Sequence, residues 1–123
     1  MAQRSPPPRP RALIVEDEIM IALDLEETML ALGLAPSDRR ARSLAMSDQP
    51  DIVLMDVCLD GGREGIETAR WLREVCGASI VFVTANSDEG TLARIHEQVP
   101  GAPVLSKPVY RKQLAKAVSE AIQ

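Results

Sequence analysis

The segment Asp51-Ile52-Val53-Leu54-Met55-Asp56 sets four consecutive apolar residues between two carboxylates. A strand that is apolar throughout, instead of alternating, suits a parallel sheet covered by helices on both faces. Asp56 then falls just past the strand, where open parallel sheets bind their ligands. Three further runs have the same character: Ala12-Leu13-Ile14-Val15, Ile80-Val81-Phe82-Val83 and Ala102-Pro103-Val104-Leu105.

The intervening segments carry helical spacing. One helix is expected over 18–32, with Ile19, Ala22, Leu23, Glu26, Met29 and Leu30 at helical intervals and a stop at Gly33. A short second helix, capped by Ser37 or Asp38, would end near Asp48. A third runs over about 64–75 with Ile66, Ala69, Leu72 and Val75 on one face. A fourth covers about 88–98, starting at Ser87 or Asp88, and the last covers about 111–122 with Leu114, Ala117, Val118 and Ile122. Strands alternating with helices read as βα units, hence an α/β fold.

At 123 residues the chain is expected to be one domain with no room for a separate output domain. Residues 1–10, with Pro6, Pro7, Pro8 and Pro10, read as a flexible Pro-rich tail preceding a domain over 11–123. A net charge of −4 and the lack of a basic stripe exclude a nucleic-acid binder, and Arg39, Arg40 and Arg42 read as a solvated face. No run is long enough to span a membrane and no signal peptide precedes the first strand, so a cytoplasmic location is expected. Cys58 and Cys76 read as free thiols.

The residues just past the four runs are Glu16-Asp17, Asp56, Thr84 and Ser106-Lys107. Two carboxylates about 5 Å apart repel by about 3 kcal/mol at an effective dielectric near 20. A divalent cation relieves this, and hard oxygen ligands point to Mg²⁺, with Mn²⁺ as a substitute. Asp56 can then act as nucleophile towards a phosphoryl group. Lys107 would neutralise charge on that group and Thr84 would hydrogen-bond one of its oxygens. Taken singly, each residue also has an ordinary reading: a turn former at Asp56, a helix start at Glu16-Asp17-Glu18, a bend at Lys107-Pro108.

Taken together, Leu13-Ile14-Val15-Glu16-Asp17-Glu18, Asp51 to Asp56, Val81-Phe82-Val83-Thr84-Ala85 and Leu105-Ser106-Lys107-Pro108 resemble the receiver domain of bacterial two-component response regulators, over about 11–122. The resemblance implies a flavodoxin-like doubly wound sheet in the order 2-1-3-4-5 and a stand-alone receiver of the chemotaxis type. By it, Asp56 is the phosphoacceptor and Asp17 a direct metal ligand. Glu16 acts mainly through water, and Cys58 is a ligand through its backbone carbonyl. Thr84 and Lys107 sense the phosphoryl group, and the Lys107-Pro108 peptide is cis. The donor would be a sensor histidine kinase or a histidine phosphotransfer protein, and output would pass through an unidentified downstream protein. The receiver would be no enzyme beyond assisting its own phosphorylation and dephosphorylation.

The sequence departs from that pattern at Val104, where an aromatic often stands. Cys58 and Asn86 fall where the family tunes dephosphorylation. Only Leu34-Ala35-Pro36 separate Gly33 from Ser37, so the second strand is expected to be short or missing. The partly uncovered edge of the first strand would then be a surface for self-association or for a partner, in a monomer or weak dimer. Gly61-Gly62-Arg63-Glu64-Gly65 reads as a flexible loop near the site, lacking nucleotide-loop spacing. His96 is expected on the surface and Trp71 in the core or at its margin. Two other functions remain: a phosphorylation-independent adaptor, and a Mg²⁺-dependent phosphatase of the haloacid-dehalogenase type. The second is disfavoured because Cys58 stands where D-x-D would need an acid.

Overall fold

The computed structural model describes residues 10–37, 49–58, 64–85 and 88–122. The elements run β1 (Arg11–Val15), α1 (Ile19–Ala31), β2 (Ala35–Ser37), β3 (Ile52–Asp56), α2 (Glu64–Cys76), β4 (Ser79–Thr84), α3 (Glu89–Gln98), β5 (Val104–Ser106) and α4 (Arg111–Ala121). The five strands form one parallel sheet in the order β2-β1-β3-β4-β5, as the resemblance implied.

Every residue of β3 is buried, because the sheet is covered on both faces and successive side chains point to opposite sides. Leu13, Val15, Val53, Met55, Ile80 and Phe82 pack on one face with Ile66, Ala69 and Leu72 of α2 and Ile95 of α3. Ala12, Ile14, Ile52, Leu54 and Val81 pack on the other with Leu25 and Met29 of α1 and Leu114, Ala117 and Val118 of α4. Each fully buried Leu or Ile contributes roughly 1.5–3 kcal/mol relative to exposure.

Gly33 ends α1 with φ of 85°. The Leu34 N–H donates to Met29 O at 3.0 Å and the Gly33 N–H to Leu30 O at 3.0 Å. This is a Schellman cap, closed by burial of Leu34 in the same cluster as Met29. Asp88 caps α3, accepting the Thr91 N–H at 2.7 Å. The Lys107-Pro108 peptide is cis.

Several expectations are corrected. Ser37 closes β2, paired opposite Leu13. The second strand is indeed short, with Arg11, Ala12 and Leu13 facing Ala35, Pro36 and Ser37. The last strand starts at Val104, not Ala102. Ala102 still donates to Val99 O in the turn after α3, and Pro103 has no N–H, contributing only its carbonyl to Phe82.

The buried stripe of α1 is Ala22, Leu25, Thr28 and Met29, while Ile19, Leu23 and Leu30 are more than half exposed. At about 100° per residue, that outward row lies roughly a third of a turn from the buried one. The Thr28 hydroxyl is satisfied by Asp24 O at 3.0 Å. Val75 and Ile122 are also exposed, the first because α2 turns Cys76 and not Val75 to the core, the second because it is the C-cap of α4. Gly65 lies buried in the first turn of α2, not in a loop. Trp71 is partly buried against the core and His96 is exposed, as expected.

The tail over 1–9, the helix expected over 38–48, Asn86 and Ser87 fall outside the described residues, as do Gly61 to Arg63. No helix among the described residues is long and apolar enough to cross a membrane.

Candidate functional site

Parallel strands in register deliver their C-terminal ends to one edge of the sheet. Val15 pairs with Met55, Asp56 with Val83, and Thr84 with Ser106. Glu16 and Asp17 therefore leave β1 beside Asp56, the last residue of β3, while Thr84 ends β4 and Lys107 follows β5. Carboxylate oxygens of Glu16, Asp17 and Asp56 all lie within 4.8 Å of one another. Asp56 is buried at 4% exposure and Asp17 is open to solvent, so the cluster has a closed floor and an accessible mouth.

Local backbone geometry holds the acids in place. The Glu18 N–H donates to Glu16 Oε1 at 3.1 Å, and the Cys58 N–H donates to Asp56 Oδ1 at 3.1 Å. The Lys107 N–H donates to Thr84 O at 2.9 Å, which ties the segment leaving β5 to the end of β4. Thr84 is fully buried.

The Lys107 ammonium sits 2.7 Å from Glu16 Oε2 and 3.5 Å from Asp56 Oδ2, with side-chain exposures of 11%, 1% and 4% for the three residues. Burial pushes the Glu16 carboxyl above its usual 4.5; hydrogen bonds from Lys107 and the Glu18 amide offset this, and the nearby Asp56 charge adds to it. An ionised Glu16 is thus held at an energetic cost that added positive charge relieves. Burial pulls the Lys107 ammonium down, but the hydrogen bond to Glu16 and the charges of Asp56 and Glu16 more than reverse this, and its pKa lies above 10.5.

All of the residues singled out in the sequence converge on this edge. Glu16, Asp17 and Asp56 form the cluster, Lys107 pairs with two of them, and Thr84 ends the neighbouring strand. Cys58 enters through its N–H to Asp56. The sequence did not show that Lys107 is closer to Glu16 than to Asp56, a matter of side-chain reach across the sheet. The donor set consists of hard oxygens, which fits Mg²⁺ and not a thiolate- or imidazole-seeking metal. Beside the cluster, Met20, Ile21 and Asp24 of α1 face Lys107, Pro108 and Val109 across a groove of about 500 Å³.

Comparison with known proteins gives a consistent picture. The family model described as the response regulator receiver domain matches residues 12–119. The chain is 28% identical over 116 residues to the phyllosphere-induced regulator PhyR of Methylorubrum extorquens, covering 89% of this chain and 42% of that protein. It is 33% identical over 113 residues to the uncharacterized transcriptional regulatory protein YrkP of Bacillus subtilis, covering 85% of this chain and 46% of that protein. The chain thus spans less than half the length of either relative.

Among solved structures, the signal receiver domain of a modulated diguanylate cyclase from Desulfovibrio desulfuricans superposes with a TM-score of 0.79 at 32% identity, covering 93% of this chain and 94% of that one. A two-component response regulator from Clostridium difficile shares the fold, with a TM-score of 0.83 at 18% identity and coverage of 93% and 96%.

Proposed function

The chain belongs to the response regulator receiver domain family, and from that premise we propose that it is a phosphoacceptor switch, taking a phosphoryl group from a phosphohistidine donor onto Asp56. The observation that carries this reading is the convergence of three carboxylates within 4.8 Å on a lysine 3.5 Å from Asp56 Oδ2.

In the reaction an Asp56 carboxylate oxygen attacks phosphorus, an acyl phosphate bond forms, and the P–N bond to the donor imidazole breaks. The Cys58 N–H fixes the carboxylate by holding Oδ1. Lys107 offers its charge to the incoming phosphoryl oxygens once it turns from Asp56, and the Thr84 hydroxyl is the donor for another of them. Glu16, Asp17, Asp56 and the Cys58 carbonyl would hold Mg²⁺, which when bound supplies charge neutralisation for the transferring group.

The chain changes only its own carboxylate and turns over no other substrate, so it is a switch and not an enzyme. Its donor is a sensor histidine kinase or histidine phosphotransfer protein, and the exposed Met20 beside the groove gives a protein donor an apolar seat at the mouth of the site. Output passes through protein contacts in the cytoplasm, from a monomer or weak dimer.

The test is incubation with a small-molecule phosphodonor and Mg²⁺, read by intact mass. The expected result is a Mg²⁺-dependent gain of one phosphoryl group in the native chain and none in Asp56→Asn, whose amide is no nucleophile. Equal labelling of the variant would sink the assignment. A native chain that stays unlabelled yet binds its partners would favour the phosphorylation-independent adaptor.

A further inference from the structure

Among the described residues, glycine is required for two different reasons. Gly33, Gly77 and Gly101 have positive φ and open space around them, so the backbone conformation is what requires glycine there. Gly65 has no positive φ, and it sits in the first turn of α2, where glycine weakens the helix. Its reason is space. A Cβ at Gly65 would overlap Asp56 O and lie 2.9 Å from Val57 Cα and 2.9 Å from Val57 O.

All three neighbours are backbone atoms, so no side-chain rotation relieves the overlap. Something must shift. The strand cannot easily yield, because β3 is hydrogen-bonded to β1 on one side and to β4 on the other. The helix is pinned by Ile66, Ala69 and Leu72, all fully buried. What remains is the peptide between Asp56 and Val57, next to the Val57-Cys58 peptide whose carbonyl already accepts the Gly65 N–H at 3.3 Å. The same turn sets the Cys58 N–H that holds Asp56 Oδ1.

We infer that Gly65 is a positioning residue for phosphoryl transfer: its bare Cα lets the first turn of α2 press on the Asp56-Val57 peptide and so fixes where the acceptor carboxylate points. The inference rests on the proposed role of Asp56. A misplacement of about 1 Å in a reacting group costs on the order of 10²-fold in rate.

The experiment measures the phosphorylation rate constant at saturating small-molecule donor and Mg²⁺, together with the Cys58 amide resonance by NMR and its response to Mg²⁺. Gly65→Ala is expected to slow labelling by on the order of 10²-fold, to leave the donor concentration for half-maximal rate near native, and to shift the Cys58 resonance. Gly90→Ala, whose Cβ would meet only Asp88 Oδ1 at 3.4 Å, should do neither.

Ile66→Ala and Leu72→Ala form a second arm that does not depend on purifying Gly65→Ala. Both remove a fully buried side chain from the same helix and cluster, but only Ile66 adjoins the contact. At matched loss of Tm, Ile66→Ala should label several-fold more slowly and Leu72→Ala at the native rate. A folded Gly65→Ala protein with native rate and native Cys58 resonance would overturn the inference, as would equal rates in the second arm. A native chain that takes no phosphoryl group would refute the functional reading instead, and the Cys58 resonance would still decide the positioning role.

Discussion

Replacing Lys107 by methionine keeps the stem and removes the charge. At an effective dielectric of about 20, an ammonium 2.7 Å from Glu16 Oε2 and 3.5 Å from Asp56 Oδ2 gains about 6 and about 5 kcal/mol of Coulomb attraction. Desolvation of the three groups offsets much of this, and breaking a buried pair by removing one partner costs roughly 3–5 kcal/mol. For a chain of 123 residues that lowers Tm by roughly 12–20 °C, at about 4 °C per kcal/mol. The 2.7 Å pairing with Glu16 sets Lys107 in competition with any cation at the cluster. Without the ammonium the carboxylates have no competing cation, so Lys107→Met should bind Mg²⁺ more tightly than the native chain and recover a larger share of its Tm on Mg²⁺ addition. Thermal melts by circular dichroism, with Mg²⁺ and with chelator, check both points. A chelated Lys107→Met protein melting within about 2 °C of native would show that Lys107 does not compensate these acids.

Asp17→Ala removes the exposed carboxylate of the cluster, so Mg²⁺ titration followed by Trp71 fluorescence should show weakened affinity with little change in Tm; unchanged affinity would remove Asp17 from the proposed ligand set. Lys107 has a folded-state pKa above 10.5, so its stabilising effect is complete below pH 10.5 and is lost as pH rises through the folded value. Melts above that pH should show a Tm decline that is shallower in Lys107→Met, and parallel declines would contradict the pairing. Asp88→Ala, which removes the cap on the Thr91 N–H, should cost roughly 0.5–2 kcal/mol in urea unfolding without altering Mg²⁺ affinity.

The parts of the site that were legible in the sequence share one property: each follows an uninterrupted apolar run. Such a run identifies a strand, and a parallel sheet does the rest by bringing the strand ends to one edge. Asp56, Thr84 and Lys107 could be named this way. The burial face of α1 could not, because Ile19, Leu23 and Leu30 extend its apolar surface beyond the stripe that meets the sheet. The start of β5 was misplaced because apolarity says nothing about ladder donors, which Pro103 lacks. Gly65 was read both as the end of the Gly61–Gly65 loop and as part of the helix over about 64–75, with no role assigned to it. A glycine needed for space is indistinguishable, in a single sequence, from one needed for a turn.

Glu16 and Lys107 come from opposite ends of the domain and meet only because β1 and β5 dock on either side of the β3-β4 pair. Contacts so distant along the chain form late in folding and carry the greatest loop-closure entropy. No species with either outer segment undocked can present the complete set of groups. A cation held by Glu16, Asp17 and Asp56 would act as a fastener between the ends of β1 and β3. Amide exchange in β1 and β3 should therefore slow in concert on Mg²⁺ addition, more than in β5.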